Sequence, residues 1–311
     1  MTKRERVLRA ITFNDPDRIP VWHFNYHETA GDILRCELAL EHGGLSEWGY
    51  RWVTMDDGTM GQPSGPVIPS WDDLTAYEFP ERRADDRLAG LPEFMGTSDA
   101  HYLLAGMGIT GFTTYTFLRG FEHALVDFVL DADRAGALLD RIFAFENDMA
   151  ALAADQGFQG IHYQDDWGTQ ESLIISPDLW RTIFKPRYRE QFERVHRLGM
   201  HVWFHSCGNI LAILPDLYEI GVDVMNISQP NVMDISTAGS MLRGRQCFMA
   251  PISYQTVSLT GTREEIFAEA ERLHHHLGTE RGGFIGYVEE YSALGMSRDR
   301  YQACIDAFNR R

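Results

Sequence analysis

Basic residues are scarce in this chain. Lys and Arg total 28 against 45 Asp and Glu, a formal charge of −17 over 311 residues. A phosphate backbone needs a basic face, so this balance argues against a nucleic-acid partner. A small anion is not, because it feels a local field. Cysteine is rare as well: Cys36, Cys207, Cys247 and Cys304 are widely scattered. They make no disulfide framework and fit a reducing compartment. No apolar run approaches the length that spans a bilayer. Met1-Thr2-Lys3-Arg4-Glu5-Arg6 continues as an amphipathic helix, without a signal-peptide core. A cytoplasmic setting without a membrane partner is expected. A glycine-rich phosphate loop after a strand is also missing, which argues against a doubly wound dinucleotide fold.

What is present is a large core. Hydrophobic residues make up 44% of the chain, and Gly 28 and Pro 12 are ordinary shares. One domain over residues 1–311 is expected, monomeric or homodimeric. His274-His275-His276 falls inside a helical pattern and reads as surface helix.

The most informative stretch is His201-Val202-Trp203-Phe204-His205-Ser206-Cys207-Gly208-Asn209. It reads as a buried strand that ends and turns. Residues two apart in a strand share a side. His205 and Cys207 can therefore offer an imidazole and a thiolate to one point, a pair that suits zinc better than magnesium or calcium.

Around it, strand and helix alternate. Strands are expected at 160–164, 200–204, 222–227, 247–252 and 283–288. Helices begin at Ser176-Pro177-Asp178, at 210, at the capping box Thr262-Arg263-Glu264-Glu265, and near 297. The first half is less regular, with strands read at 19–22 and 110–117 and a long loop or lid over 55–100. Such alternation implies parallel strands joined by crossover helices, and the polar residues gather at the strands' carboxyl ends. That is the plan of a (β/α)8 barrel with its site at one mouth.

These pieces resemble the uroporphyrinogen decarboxylase superfamily, which includes corrinoid-dependent methyltransferases. The resemblance runs from Thr2-Lys3-Arg4-Glu5-Arg6-Val7 and Pro16-Asp17-Arg18-Ile19-Pro20-Val21 through Asp165-Asp166-Trp167-Gly168, Ser176-Pro177-Asp178-Leu179-Trp180 and Lys185-Pro186. It ends with His205-Ser206-Cys207-Gly208-Asn209-Ile210 and Asn226-Ile227-Ser228-Gln229-Pro230. It implies the barrel, with an N-terminal helical extension. The decarboxylases carry an arginine-rich segment after the first strand. Here that place reads Asn25-Tyr26-His27-Glu28-Thr29-Ala30-Gly31. Without guanidinium partners for many carboxylates, tetrapyrrole decarboxylation is disfavoured. The methyltransferase branch implies a zinc site of His-x-Cys plus a late cysteine, with His205 and Cys207 as the first two ligands. At the late position stand Glu289 and Glu290, either of which can be the third.

Further candidates line the strand ends. Asp165 and Asp166 point in different directions, so one is expected in the mouth as a base or electrostatic partner and the other against backbone amides. His162 and Gln164 share a strand face. Asn209, Asn226 and Gln229 offer amides to substrate or to a metal-bound group. His23, Tyr26, His27 and Glu28 cluster after the first strand, Tyr254 and Gln255 are weaker candidates of the same kind, and Tyr291 sits beside the glutamates. Trp22 and Trp203 read as packing. The resemblance implies a zinc-dependent methyltransferase, passing a methyl group between a small substrate, thiol or folate and a corrinoid on a partner protein. A metal-assisted decarboxylase, lyase or hydrolase without corrinoid is the alternative, and a non-catalytic binding protein the third.

Overall fold

The computed structural model describes residues 1–23, 31–53, 61–81, 85–96, 100–289 and 294–309. Eight parallel strands form one sheet: β1 (Val21–His23), β2 (Ile33–Glu37), β3 (Tyr102–Ile109), β4 (Gly160–Gln164), β5 (His201–Ser206), β6 (Val224–Ile227), β7 (Cys247–Pro251) and β8 (Phe284–Val288). Their spatial order is β1-β8-β7-β6-β5-β4-β3-β2. Among the described residues, Asp32 joins the two end strands. Asp32 N donates to Val21 O at 2.8 Å, and Val21 N donates to the Asp32 carboxylate at 2.9 Å. The sheet is thus rolled into a near-closed (β/α)8 barrel.

Alternation along the strands sorts the two cores. Trp22, Tyr102, Leu104, Trp203, Val224, Met249, Ile285 and Tyr287 fill the inside. Leu34, Leu103, Ile161, Val202, Phe204, Met225 and Phe248 pack with the helix layer. The N-terminal helix α1 (Lys3–Ile11) adds Val7, Ala10 and Ile11 to the inner set. It closes the barrel's amino-terminal end, with Thr2 capping it through Glu5 N at 3.1 Å. Among the described residues no helix is long and apolar enough to cross a membrane.

Two expectations are corrected. The 110–117 stretch is mostly helix α2 (Gly111–Arg119), and the strand lies just before it. Its threonines and aromatics imitate a strand. A carboxylate from β4's end caps its first turn, and that tertiary contact prevails. The irregular insertion also starts earlier than residue 55. It opens with two antiparallel ribbons, Glu41–His42 with Leu45–Ser46 and Trp52–Val53 with Gln62–Pro63. Part of it docks on helix α3 (Ala132–Asp155), with Trp48 edge-on to Phe145 and Arg141 over the Phe79 ring.

Asp32 is fully buried between two guanidiniums, 2.5 Å from Arg6 and 2.7 Å from Arg18. Asp32→Ala removes their common anion at the barrel seam. We expect a loss of about 3–5 kcal/mol in urea unfolding, the usual cost of breaking a buried pair from one side. A loss below about 1 kcal/mol would mean that the seam does not rely on this carboxylate.

Candidate metal centre

The carboxyl ends of β4, β5 and β6 build the mouth. Gln164 pairs in register with His205, and His205 with Asn226. Trp203 faces inward, so His205 does too. Beyond β5, Gly208 adopts φ +75, a conformation that side chains with a Cβ avoid. It lies against Gly168 of the preceding loop, and a Cβ on either would overlap the other's backbone. Gly168 N donates to Cys207 O at 3.1 Å and Trp167 N to Ser206 Oγ at 2.9 Å. Cys207 N donates to Asp166 Oδ1 at 2.8 Å. The two loops are therefore stitched together, and Asp166 is delivered beside His205 and Cys207.

His205 Nε2 lies 3.5 Å from Asp166 Oδ1 and 3.6 Å from Cys207 Sγ. One potential ligand atom from each of Asp166, His205 and Cys207 falls within 4.8 Å of the others. The imidazole's orientation is determined. Asn226 Nδ2 donates to Met249 O at 3.3 Å, which turns its Oδ1 toward His205 Nδ1 at 2.7 Å. A carbonyl oxygen only accepts, so Nδ1 carries hydrogen and Nε2 faces the two acids. Burial would lower the His205 pKa, but hydrogen bonds and charges from Asp166 and Cys207 raise it well above the usual value. Burial would likewise raise Asp166, yet His205 and the Cys207 amide hold it low. A proton and a metal ion compete for the same place between these atoms. Imidazole nitrogen, thiolate and carboxylate are a donor set that could hold a metal ion.

The other thiols lie elsewhere. Burial pushes Cys36 up to about 11 and Cys304 to about 12, and it raises Cys247 too. Glu289 is not part of the converging set. Its carboxylate accepts from Tyr287 Oη at 2.5 Å. Glu290, Tyr26, His27, Glu28 and Tyr291 lie outside the described residues.

The remaining candidates divide by position. Gln229 accepts from Gly208 N at 2.9 Å and donates to Tyr254 Oη at 3.0 Å, which braces the turn. Asn209 ties its loop to Glu171 O at 3.1 Å and to Leu211 N at 3.2 Å. Gln255 is exposed. His23 faces the helix layer, where its Nδ1 lies 3.3 Å from Tyr301 Oη in the last helix (Arg298–Asn309), so it is not brought to the mouth. His162 is buried under the site, its ring edge-on to His205 at 6.0 Å and to Trp22 at 5.4 Å. Burial, with the Arg35 and His205 charges, holds it neutral, well below the usual histidine range. Arg35 was missed, because the strand that carries it was not read from the sequence.

Asp165 is turned away from the mouth. Its carboxylate accepts from Phe112 N at 2.9 Å, from Thr113 N and Oγ1 at 2.8 Å, and from the Tyr188 hydroxyl. It caps α2, and Gly111 at φ +53 leaves room for it. Burial pushes its pKa to about 7 despite these bonds. Glu146 shares this buried region. It accepts from Gly111 N at 2.7 Å and Gln191 Nε2 at 2.8 Å, and burial raises it to about 8. The Gln191 Oε1 is buried with no partner among the described residues, so the amide turned over would accept a hydrogen bond from protonated Glu146.

The sign follows from linkage. The folded pKa of Glu146 is above its ordinary 4.5, so folding retains a proton that the unfolded chain releases. That stability is complete below the ordinary value and is lost as pH rises through about 8. Glu146→Gln keeps the neutral shape and has no such slope. Urea unfolding at about pH 5 and about pH 9 should show the wild type losing a few kcal/mol relative to Glu146→Gln. Parallel profiles would mean that Glu146 is not held protonated.

The family profile described as uroporphyrinogen decarboxylase (URO-D) matches residues 52–288. No curated protein sequence matches the chain significantly. Among solved structures, a methyltransferase from Methanosarcina mazei superposes with a TM-score of 0.77 at 16% identity, covering 99% of this chain and 98% of that one. A chitinase from Chromobacterium violaceum gives a TM-score of 0.44 at 10% identity, covering 94% and 100% of the two chains. A D-psicose 3-epimerase from Clostridium cellulolyticum gives 0.42 at 11%, covering 90% and 88%. The first shares the whole fold, the other two are too distant to bear on the site, and the profile spans most of the barrel: the chain belongs to the uroporphyrinogen decarboxylase family.

Proposed function

We propose that this chain is a zinc-dependent methyltransferase whose metal is held by His205, Cys207 and Asp166. It moves a methyl group between a small methylated substrate, or a thiol or folate acceptor, and a corrinoid carried by a partner protein. The observation that carries this reading is the convergence of imidazole, thiol and carboxylate at the barrel mouth. The Methanosarcina mazei protein that shares the fold is itself named a methyltransferase. The 25–31 segment has no arginine, which weighs against a polycarboxylate tetrapyrrole as substrate.

When bound, the metal would supply Lewis acidity to the heteroatom that gains or loses the methyl. The chain's own residues do the rest. Asn226 orients His205. Gln229 and the paired glycines hold the Cys207 turn. Asp166 would contribute the third ligand as a carboxylate from the end of β4, rather than a thiolate from the end of β8. Asp165 fixes the loop from below and is a positioning residue. A metal-assisted lyase or hydrolase is the second reading. The carboxylates Asp166 and Glu289, which follow the carboxyl ends of β4 and β8, are the observation that favours it.

Metal content decides first. The purified chain, offered zinc, should hold about one ion. Asp166→Ala, His205→Ala and Cys207→Ser should each bind at least about tenfold more weakly, while Glu289→Ala keeps its metal. The loaded chain should then methylate reduced corrinoid from a panel of methyl donors. Folded protein that takes up no zinc would sink the proposal. Turnover of a carboxylated substrate without corrinoid would transfer the site to the second reading.

A further inference from the structure

β2 carries a charged residue that the metal set does not use. Ile33 faces the barrel interior, so Arg35 and Glu37 share that side. The Arg35 side chain is 1% exposed. It has room because the neighbouring strand carries Gly106, where a Cβ would overlap the guanidinium. Arg35 reaches across β3 and donates from Nη2 to Gln164 Oε1 on β4 at 2.6 Å. Glu37 Oε2, also 2.6 Å from that nitrogen, balances the charge. Glu37 is itself fixed, accepting from Gly108 N at 2.8 Å and Ala39 N at 3.2 Å.

A guanidinium has donors only, so the Gln164 atom that it meets is the oxygen. The amide NH2 must lie on the other side. Gln164 pairs in register with His205, and both face inward. Backbones so paired are about 5 Å apart. Gln164 Nε2 has no hydrogen-bond partner among the described residues. A cation held on the amide oxygen also makes the NH2 a stronger donor.

We propose that Gln164 Nε2 holds an oxygen of the substrate beside the His205, Cys207 and Asp166 set, and that Arg35 is its positioning residue. The substrate class is then one that presents an oxygen acceptor, such as an ether, alkoxide or carboxylate. A quaternary ammonium compound has no lone pair for this N–H and would meet its positive end. The inference rests on the metal reading above and narrows it.

The test uses the full chain loaded with Co2+, followed by visible absorption. Acetate is the oxygen probe and ethanethiol the sulfur probe. Gln164→Glu keeps Arg35 paired but removes the NH2, and Gln164→Leu removes both functions. Both variants should retain about one Co2+ per chain and the thiolate-to-metal band. Both should bind acetate about tenfold more weakly, the effect of one lost hydrogen bond, with ethanethiol binding unchanged. Arg35→Lys keeps the charge without the fork and should weaken acetate about threefold. Unchanged acetate affinity in the two Gln164 variants overturns the proposal, as does an equal loss for both probes. Loss of Co2+ from the Gln164 variants would overturn it too, by making Gln164 part of the metal site. A native chain that takes up no Co2+ fails the metal reading itself, which keeps the two failures apart.

Discussion

Two loops at the barrel mouth approach until only glycines fit between them. Gly168 and Gly208 are in backbone contact, and neither position tolerates a Cβ. That approach allows Gly168 N to reach Cys207 O and Cys207 N to reach Asp166. Without it, the carboxylate at the end of β4 and the thiol at the end of β5 would be unrelated side chains on adjacent strands. Trp167 anchors the β4 loop from outside, fully buried and stacked on Phe112 at 4.4 Å between ring centroids. Asp165 anchors it from below by capping α2. The two loops are thereby joined into one hydrogen-bonded platform, the kind of support a converging ligand set requires.

The polar side chains around this platform have little freedom, because each faces a neighbour that can only give or only take a hydrogen bond. Met249 O can only accept, so Asn226 turns its oxygen to His205. Gly208 N can only donate, so Gln229 turns its nitrogen to Tyr254. Arg35 can only donate, so Gln164 turns its nitrogen away from it. These amide orientations follow from donor and acceptor inventory alone. They set the tautomer of His205 and the direction of the Gln164 donor without any contribution from a ligand.

Much of this was legible in the sequence, and the reasons for the rest are physical. Alternating strands and capped helices from 160 onward are local signals, and the barrel follows from them. His205 and Cys207 could be placed together because their two-residue spacing is itself a geometric statement. The division of Asp165 and Asp166 between amides and mouth follows from the same alternation, though the sequence does not say which takes which role. Asp166 beside Cys207 was not legible. It depends on a loop-to-loop contact across 41 positions of chain, while Glu289 drew attention by standing where a cysteine was expected. The 110–117 stretch misled because its composition is strand-like and its helix is imposed from β4. Arg35 was hidden in a short second strand, although the inward pairing of Arg35 with Glu37 two residues on was a signal that could have been used.

In the proposed ligand set, a carboxylate in place of a second thiolate would also have an electrostatic consequence. One thiolate and one carboxylate with a neutral imidazole would balance a divalent ion, leaving no net charge at the open position. Oxygen donates less charge to zinc than sulfur does, so the ion would stay harder and attract oxygen ligands more strongly. The buried surroundings agree with that preference. His162 beneath the site is held neutral, and the Arg35 charge is met by Glu37. Gln164 adds an N–H donor on β4 beside them. A substrate oxygen would then meet one oriented amide on β4, next to the β5 side chains that would hold the metal.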